Sequence, residues 1–382
     1  MTATAPAHAL ARYREQFPIF HHATYLNSCS LGAPSLRTRA RLTEYLNLWE
    51  RRGASAWYDT WLPDLERLRG AYSRVLGADP SEISLHGCVS TALAAVAESL
   101  DYRRRPRVVI TSLDFPTVAY QWLAKASRGV EVVMVESPDG ITVPLDLLAA
   151  AIDERTALVA TSHVFFTSGA IQDARALVSL ARERGALILL DGYQAAGQVE
   201  VDARALGVDF YCGGGLKWLL GGSGIAFLYT RRELASSLEP GVSGWFAHAA
   251  PFAFDPRRLE RPADARRFEQ GTPSMAAVYA QLAGLEIIEE IGIPAIARVT
   301  RALAEELIAE ASDRGFRPHV AADPEARSAI VMLPRQDAAA DVRRLAAAGF
   351  IVDSRPGSVR VSPYFYNVPT DSRALLEQLN RV

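Results

Sequence analysis

The chain has 382 residues, 49% hydrophobic and 22% charged, the make-up of an ordinary globular protein long enough for two domains. A formal net charge of -2 and a pI near 6.4 give no overall basic character, so small molecules rather than nucleic acid are the expected partners. No apolar run approaches a bilayer span and MTATAPAHALARYREQFPIF lacks an apolar signal core, so a cytoplasmic protein without membrane contact is expected.

From about residue 70 helical and strand patterns alternate. LERLRGAYSRVLG predicts a helix ending at Gly77, ISLHG a strand, STALAAVAESL a helix and PRVVITS a strand. TVAYQWLAKAS, PLDLLAAAI and ARALVSLARERG follow as helices, interleaved with the strands VEVVMVE, ALVATSHV and ALILLDG, and VDFYCGG and GIAFLYT complete a set of seven strands. Strands so uniformly apolar, separated by helices, predict an α/β fold with a mostly parallel sheet covered on both faces. PGVSGWFAHAAPFAFDPRRLERPADARR, rich in Pro, Gly and Arg, breaks the alternation and marks a boundary. AAVYAQLAGLEIIEEIG and RVTRALAEELIAEASDRG then predict long amphipathic helices, and short strands and helices fill the remainder. The expected organisation is an arm over residues 1–25, a large domain over 26–255 and a smaller αβ domain over 256–382.

In such a sheet ligands bind beyond the carboxyl ends of the strands. Gly87 to Ser90, Asp114 and Phe115, His163, Asp191 to Gln194, and Lys217 each follow an apolar run and should gather at one edge. CGGGLKWLLGGSG, residues 212–224, sets Lys217 among six glycines and apolar side chains. It is not a phosphate-cradling P-loop, which needs Gly before the lysine and Ser or Thr after it, where Leu216 and Trp218 stand. A lysine in an apolar pocket has a lowered pKa and forms a Schiff base with an aldehyde, which is how enzymes hold pyridoxal phosphate (PLP). A glycine-rich turn with a snorkelling lysine is the plain alternative.

The other candidates have the same double character. Asp191 ends an aliphatic strand and suits the PLP pyridine nitrogen, or simply starts a turn. Gln194 suits the cofactor's phenolic oxygen, or a surface after a turn. Gly87 to Thr91 open a helix directly after a strand, so backbone N–H groups and the Ser90 and Thr91 hydroxyls make an anion site or an ordinary N-cap. Phe115 is placed to stack on a flat ring or to fill core. Cys29, Cys88 and Cys212 contain no CxxC pair and read as reduced thiols, without a disulfide framework or a metal site.

LLDGYQAAGQVEVDARALG with the following VDFYCGGGLKWLLGGSGIAFLY, RFEQGTPSMAAV, SVRVSPYFYN and the early YLNSCSLG together resemble the class V aminotransferase family, PLP enzymes of fold type I, on its kynureninase and cysteine desulfurase side. The resemblance covers nearly the whole chain. It implies that Lys217 carries the cofactor, Asp191 pairs with the pyridinium, Gln194 and His163 lie near the phenolic oxygen, Ser90 and Thr91 take the phosphate and Phe115 stacks on the ring. It also implies a homodimer with composite sites, in which Thr272 reaches the phosphate of the neighbouring subunit's cofactor. Substrate contacts are implied for Asn27, Trp245 and Arg360, the last because a planar guanidinium fork meets a carboxylate with two parallel hydrogen bonds.

Departures from the family pattern narrow the branch. Leu216 stands where many members have His and kynureninases have Tyr, so one phosphate ligand is missing. Phe115 matches kynureninases rather than the His of desulfurases, and no cysteine follows Cys212 to serve desulfuration. GTP at Gly271 to Pro273 replaces the Asn-containing run that recognises the kynurenine ring, and DGYQ replaces the kynureninase DLAH. The reading is a PLP enzyme acting on an amino acid, foremost a lyase cleaving at the β-carbon, kynureninase-like or C–S-lyase-like. The alternatives are an aminotransferase or epimerase of the same family, and a non-catalytic or nucleotide-binding protein of α/β fold. A binding module has no need of Lys217, and no GxGxxG follows the first strand to favour a dinucleotide.

Overall fold

A computed structural model describes residues 9–381, so the first eight residues of the expected N-terminal arm lie outside the described residues. Beyond a two-residue β1 (Thr24–Tyr25), the chain lays down β2 (Ile83–His86), β3 (Arg107–Thr111), β4 (Glu131–Val135), β5 (Thr156–Ser162), β6 (Leu187–Asp191), β7 (Phe210–Gly214) and β8 (Ala226–Thr230). These seven form one sheet in the order β2-β8-β7-β6-β5-β3-β4, in which β8 alone runs against its neighbours. All seven strands expected from the sequence are therefore present, in a mostly parallel sheet.

The apolar character of the strands has a direct cause. Successive side chains alternate between faces, and here both faces are covered. Val108 and Ile110 of β3, Leu158 and Ala160 of β5, Leu189 of β6, and Phe210 and Cys212 of β7 pack beneath helix Val89–Ser99. Val109, Val159, Ile188, Leu190 and Tyr211 point to the opposite core, which also takes helices Leu62–Val75 and Met275–Ile291. At about 25 cal/mol per Å² of buried apolar surface, these two layers are the main stabilising contribution to the domain.

A second, smaller sheet is antiparallel, in the order β11-β12-β9, from β9 (Val331–Pro334), β11 (Asp353–Arg355) and β12 (Ser358–Val361). Its companion β10 (Phe350–Ile351) pairs in parallel with β1, and Asn27 bridges to Ser362. That pairing draws the YLNSCSLG segment in between the two sheets. Helices Met275–Ile291 and Ile293–Asp313 divide at Gly292, whose φ of +85° ends the first, and Pro294 opens the second. Among the described residues no helix is long and apolar enough to cross a membrane.

Candidate active site

Lys217 sits on a loop held from three sides through its backbone. Gly32 N–H donates to the Leu216 carbonyl at 2.7 Å, and a Cβ at Gly32 would lie 2.2 Å from the Lys217 carbonyl oxygen, so only glycine permits the approach. The Gln281 amide donates to the Leu219 carbonyl at 3.0 Å, and the Tyr364 hydroxyl lies 2.7 Å from the carbonyls of Gly197 and Trp218. Leu220, at φ +58°, takes a left-handed conformation that a non-glycine residue adopts only when its surroundings impose it.

The lysine projects into a cavity of about 250 Å³ built from the carboxyl ends of the strands, as in other open α/β sheets. Cys88, Val89 and Ser90 come from after β2, Phe115 and Thr117 from after β3, Ser162, Val164 and Phe166 from β5 and the loop beyond it, Asp191, Tyr193 and Gln194 from β6, and Leu216 and Lys217 from after β7. Thus Lys217, Asp191, Gln194, Ser90 and Phe115 are brought together. Lys217 Nζ lies 4.4 Å from the Tyr193 ring centre and 6.0 Å from that of Phe115. Phe115, 45% exposed, is held edge-on to Phe166 at 5.1 Å. Its position is fixed by buried Asp114, whose carboxylate accepts from Thr111 N–H, Ser162 N–H and the Thr161 hydroxyl and so ties the ends of β3 and β5 together.

Two expectations differ from the structure. His163 turns away from the cavity because it alternates with Ser162 and Val164, which face it; its ring is hydrogen-bonded to the Tyr211 hydroxyl at 2.9 Å. Burial pushes that imidazole down to about 4, so it is neutral near pH 7. Thr91 faces back along its helix, its hydroxyl donating to the Cys88 carbonyl at 2.7 Å as part of the cap. Ser162, Phe166, Trp218 and Thr117, whose hydroxyl is 3.5 Å from that of Ser90, are not among the sequence candidates. Trp218 N–H donates to Gln194 Oε1 at 2.8 Å while the Gln194 amide donates to the Cys29 carbonyl at 3.0 Å, which fixes the glutamine's orientation. The Trp after the lysine was the available signal, since a buried indole N–H needs an acceptor.

The donor set fits PLP. A half-exposed aromatic face, a buried carboxylate, an amine and the free N–H groups of a helix N-terminus line one cavity, matching a flat ring, a pyridinium, an aldehyde and a phosphate in turn. Burial pushes Asp191 up to about 6, against the Tyr193 N–H that it accepts at 2.9 Å and the charge of Lys217. Burial likewise pushes Lys217 down to about 8, with Cys29 and Asp191 opposing. The folded state then binds fewer protons than the unfolded one between about 8 and the ordinary lysine value of 10.5, so this group makes the protein more stable as pH rises through that window.

That shift can be read directly. The chain has only two lysines, and Lys125 is paired with Glu98. Reductive methylation of cofactor-free protein with labelled formaldehyde is expected to give one dimethyl-lysine resonance titrating near pH 8, absent from the same preparation of Lys217→Ala. A midpoint at the ordinary lysine value would mean that the cavity does not desolvate the amine.

The remaining candidates lie outside the cavity. Arg360, 1% exposed, is behind Phe166: its guanidinium donates to the Phe166 carbonyl at 2.9 Å, the Ser30 hydroxyl at 2.6 Å and Asp353 at 2.9 Å, while its Nε is buried without a partner. Asn27 is engaged through its backbone with Ser362, Ser30 and Leu31. Trp245 and Thr272 meet each other, indole N–H to hydroxyl at 3.3 Å, and neither lines the Lys217 cavity. GWFAH and RFEQGTP are stitched together by Phe246 N–H to the Gln270 carbonyl, and Glu269 anchors them to β2 by accepting Leu85 N–H at 2.9 Å beside buried Arg69.

Comparison with known proteins agrees with this geometry. The chain is 31% identical over 372 residues to "Uncharacterized aminotransferase YcbU" of Bacillus subtilis, covering 97% of this chain and 98% of the relative. It is 29% identical over 356 residues to a kynureninase of Bacillus anthracis, covering 89% and 83%. A solved cysteine desulfurase from Thermococcus onnurineus superposes with a TM-score of 0.86 at 22% identity over 96% of both chains, a likeness of fold. The sequence model of the family Aminotransferase class-V matches residues 41–371. With the family matched over most of its length and a cavity fitted to the cofactor, the chain belongs to the class V aminotransferase family of PLP-dependent enzymes.

Proposed function

We propose that the protein is a lyase that cleaves a bond at the β-carbon of an amino acid. The observation that carries this reading is Phe115, which lines the Lys217 cavity with its ring part exposed and which the sequence resemblance matches to the kynureninase branch. Bound PLP supplies a sink for the electron pair left at the α-carbon when its proton is removed. Asp191 would pair with the pyridine nitrogen and hold its proton. Gln194, oriented by Trp218 and Cys29, has a second amide N–H left for the phenolic oxygen. Ser90, Thr117 and the first N–H groups of helix Val89–Ser99 would hold the phosphate. Lys217, with a pKa near 8, is poised to take the α-proton as a neutral amine and return it as ammonium. Phe115 carries no exchangeable proton, so proton movement falls to Lys217, while Phe115 and Phe166 keep water from the ring.

The test is to offer amino acids bearing leaving groups at Cβ and identify products. Release of the Cβ substituent is expected. Transfer of the amino group to a keto acid with the Cβ substituent intact would instead establish the second reading, an aminotransferase, which the match to YcbU over nearly the whole of both chains favours.

We further propose a homodimer with composite sites. Thr272 is exposed and stands against Trp245, beside an aromatic cluster of Phe252, Phe254 and Tyr58 in which the last two are each 69% exposed. An apolar, aromatic surface of this kind favours burial against a partner. Two-fold symmetry would make each subunit give and receive the same loop. Mixing a Lys217→Ala chain with a chain disrupted at Thr272 is then expected to restore part of the activity lost in each; full activity in a verified monomer would refute the arrangement. The three free thiols fit a reducing compartment, and we place the protein in the cytoplasm.

A further inference from the structure

The cavity contains a hydroxyl to which no role has been given. Tyr193 lies between Asp191 and Gln194 in sequence, and its ring crosses Gly214 at the end of β7. A Cβ at Gly214 would lie 2.5 Å from both Cζ and the hydroxyl oxygen of Tyr193, so the ring occupies space that any side chain at 214 would need. Gly214 pairs with Ala226 of β8, and Ala226 with His86, the last residue of β2, two positions before the helix cap at Cys88. Gly214 shares the pleat face of Phe210 and Cys212, the face covered by helix Val89–Ser99, and Tyr193 packs into that same cluster. The tip of the ring is therefore on the helix side of the sheet, level with the first turn that presents Cys88, Val89 and Ser90 to the cavity. Among the described residues the Tyr193 hydroxyl makes no hydrogen bond to protein, although its backbone N–H holds Asp191. Burial keeps it a phenol, and so a donor, at neutral pH.

We propose that the Tyr193 hydroxyl donates a hydrogen bond to the phosphate of the cofactor and takes the place of the ligand that Leu216 cannot supply. The proposal rests on the PLP reading of the cavity and assigns its anion end. A single residue then serves three parts of the site: its backbone N–H holds Asp191, its ring packs under the Lys217 amine, and its hydroxyl closes the phosphate cradle.

The test compares PLP with pyridoxal, which lacks the phosphate, by equilibrium dialysis against wild type, Tyr193→Phe and the double variant Tyr193→Ala/Gly214→Ser. Tyr193→Phe keeps the ring, so pyridoxal affinity should be unchanged while PLP affinity falls roughly tenfold or more, the usual loss for a hydrogen bond to a charged group. In the double variant a serine hydroxyl enters the space the ring has left, and part of the PLP preference should return. Equal weakening toward both aldehydes, or none, would overturn the proposal, as would no return of preference in a folded double variant. If wild type itself binds neither aldehyde, the PLP reading fails and this assignment with it, an outcome separate from a wild type that binds PLP and a Tyr193→Phe variant that binds it equally well.

Discussion

Replacing Lys217 by Ala is expected to leave a folded protein that takes up PLP without a covalent link and turns over substrate about a thousandfold or more slowly. Folding should survive because the loop is fixed by backbone contacts to Gly32, Gln281 and Tyr364, none of which uses the lysine side chain. Removing an ammonium whose burial has lowered its pKa also removes a cost to the folded state. The rate loss combines two roles, attachment of the cofactor and movement of the α-proton, that one amine performs. Borohydride reduction followed by peptide mapping checks the link. The only other lysine, Lys125, lies in an ion pair with Glu98, so wild-type label should map to the Lys217 peptide alone. Label retained by the variant would remove Lys217 from its role.

Arg360→Ala is expected to keep the covalent cofactor and to lose about 2–5 kcal/mol of affinity for amino acid carboxylates, the usual result of truncating one side of a buried charge pair. The structure adds a complication that composition and spacing do not show. Arg360 fastens Ser30, Asp353 and the Phe166 carbonyl together, and Asp353 already balances its charge. Its Nε is buried without a partner, so a substrate carboxylate would be met only by a guanidinium that gives up part of this network. The variant should therefore also melt lower, and the two effects separate cleanly. Arg360→Lys keeps the charge near Asp353 but not the fork, so it should recover part of the melting temperature and little of the carboxylate affinity. A folded Arg360→Ala protein that binds amino acids as wild type does would leave Arg360 a fastener between the two sheets, and the clamp would have to be sought elsewhere.

Local pattern alone carried the strand set, the alternation with helices and the placement of Asp191 and Lys217 at the carboxyl edge. The physical reason is that a strand covered on both faces must be apolar at every position, so a polar residue marks where it emerges, as Asp191 does after ALILL. Which way an emerging residue points is a different matter. Sequence offers His163 as the candidate at the end of its strand, yet the pleat sends the neighbouring Ser162 into the cavity and His163 to Tyr211. Thr91 and Ser90 divide in the same way between helix cap and cavity, while Thr117 reaches Ser90 from a segment 27 residues away. The surroundings of Arg360 and the use of Tyr193 depend on contacts across 330 residues to Ser30 and across two strand pairings to the helix at Cys88. Periodicity reports burial, which is a property of one element; orientation and charge balance belong to pairs of elements, and only the packed chain brings those pairs together.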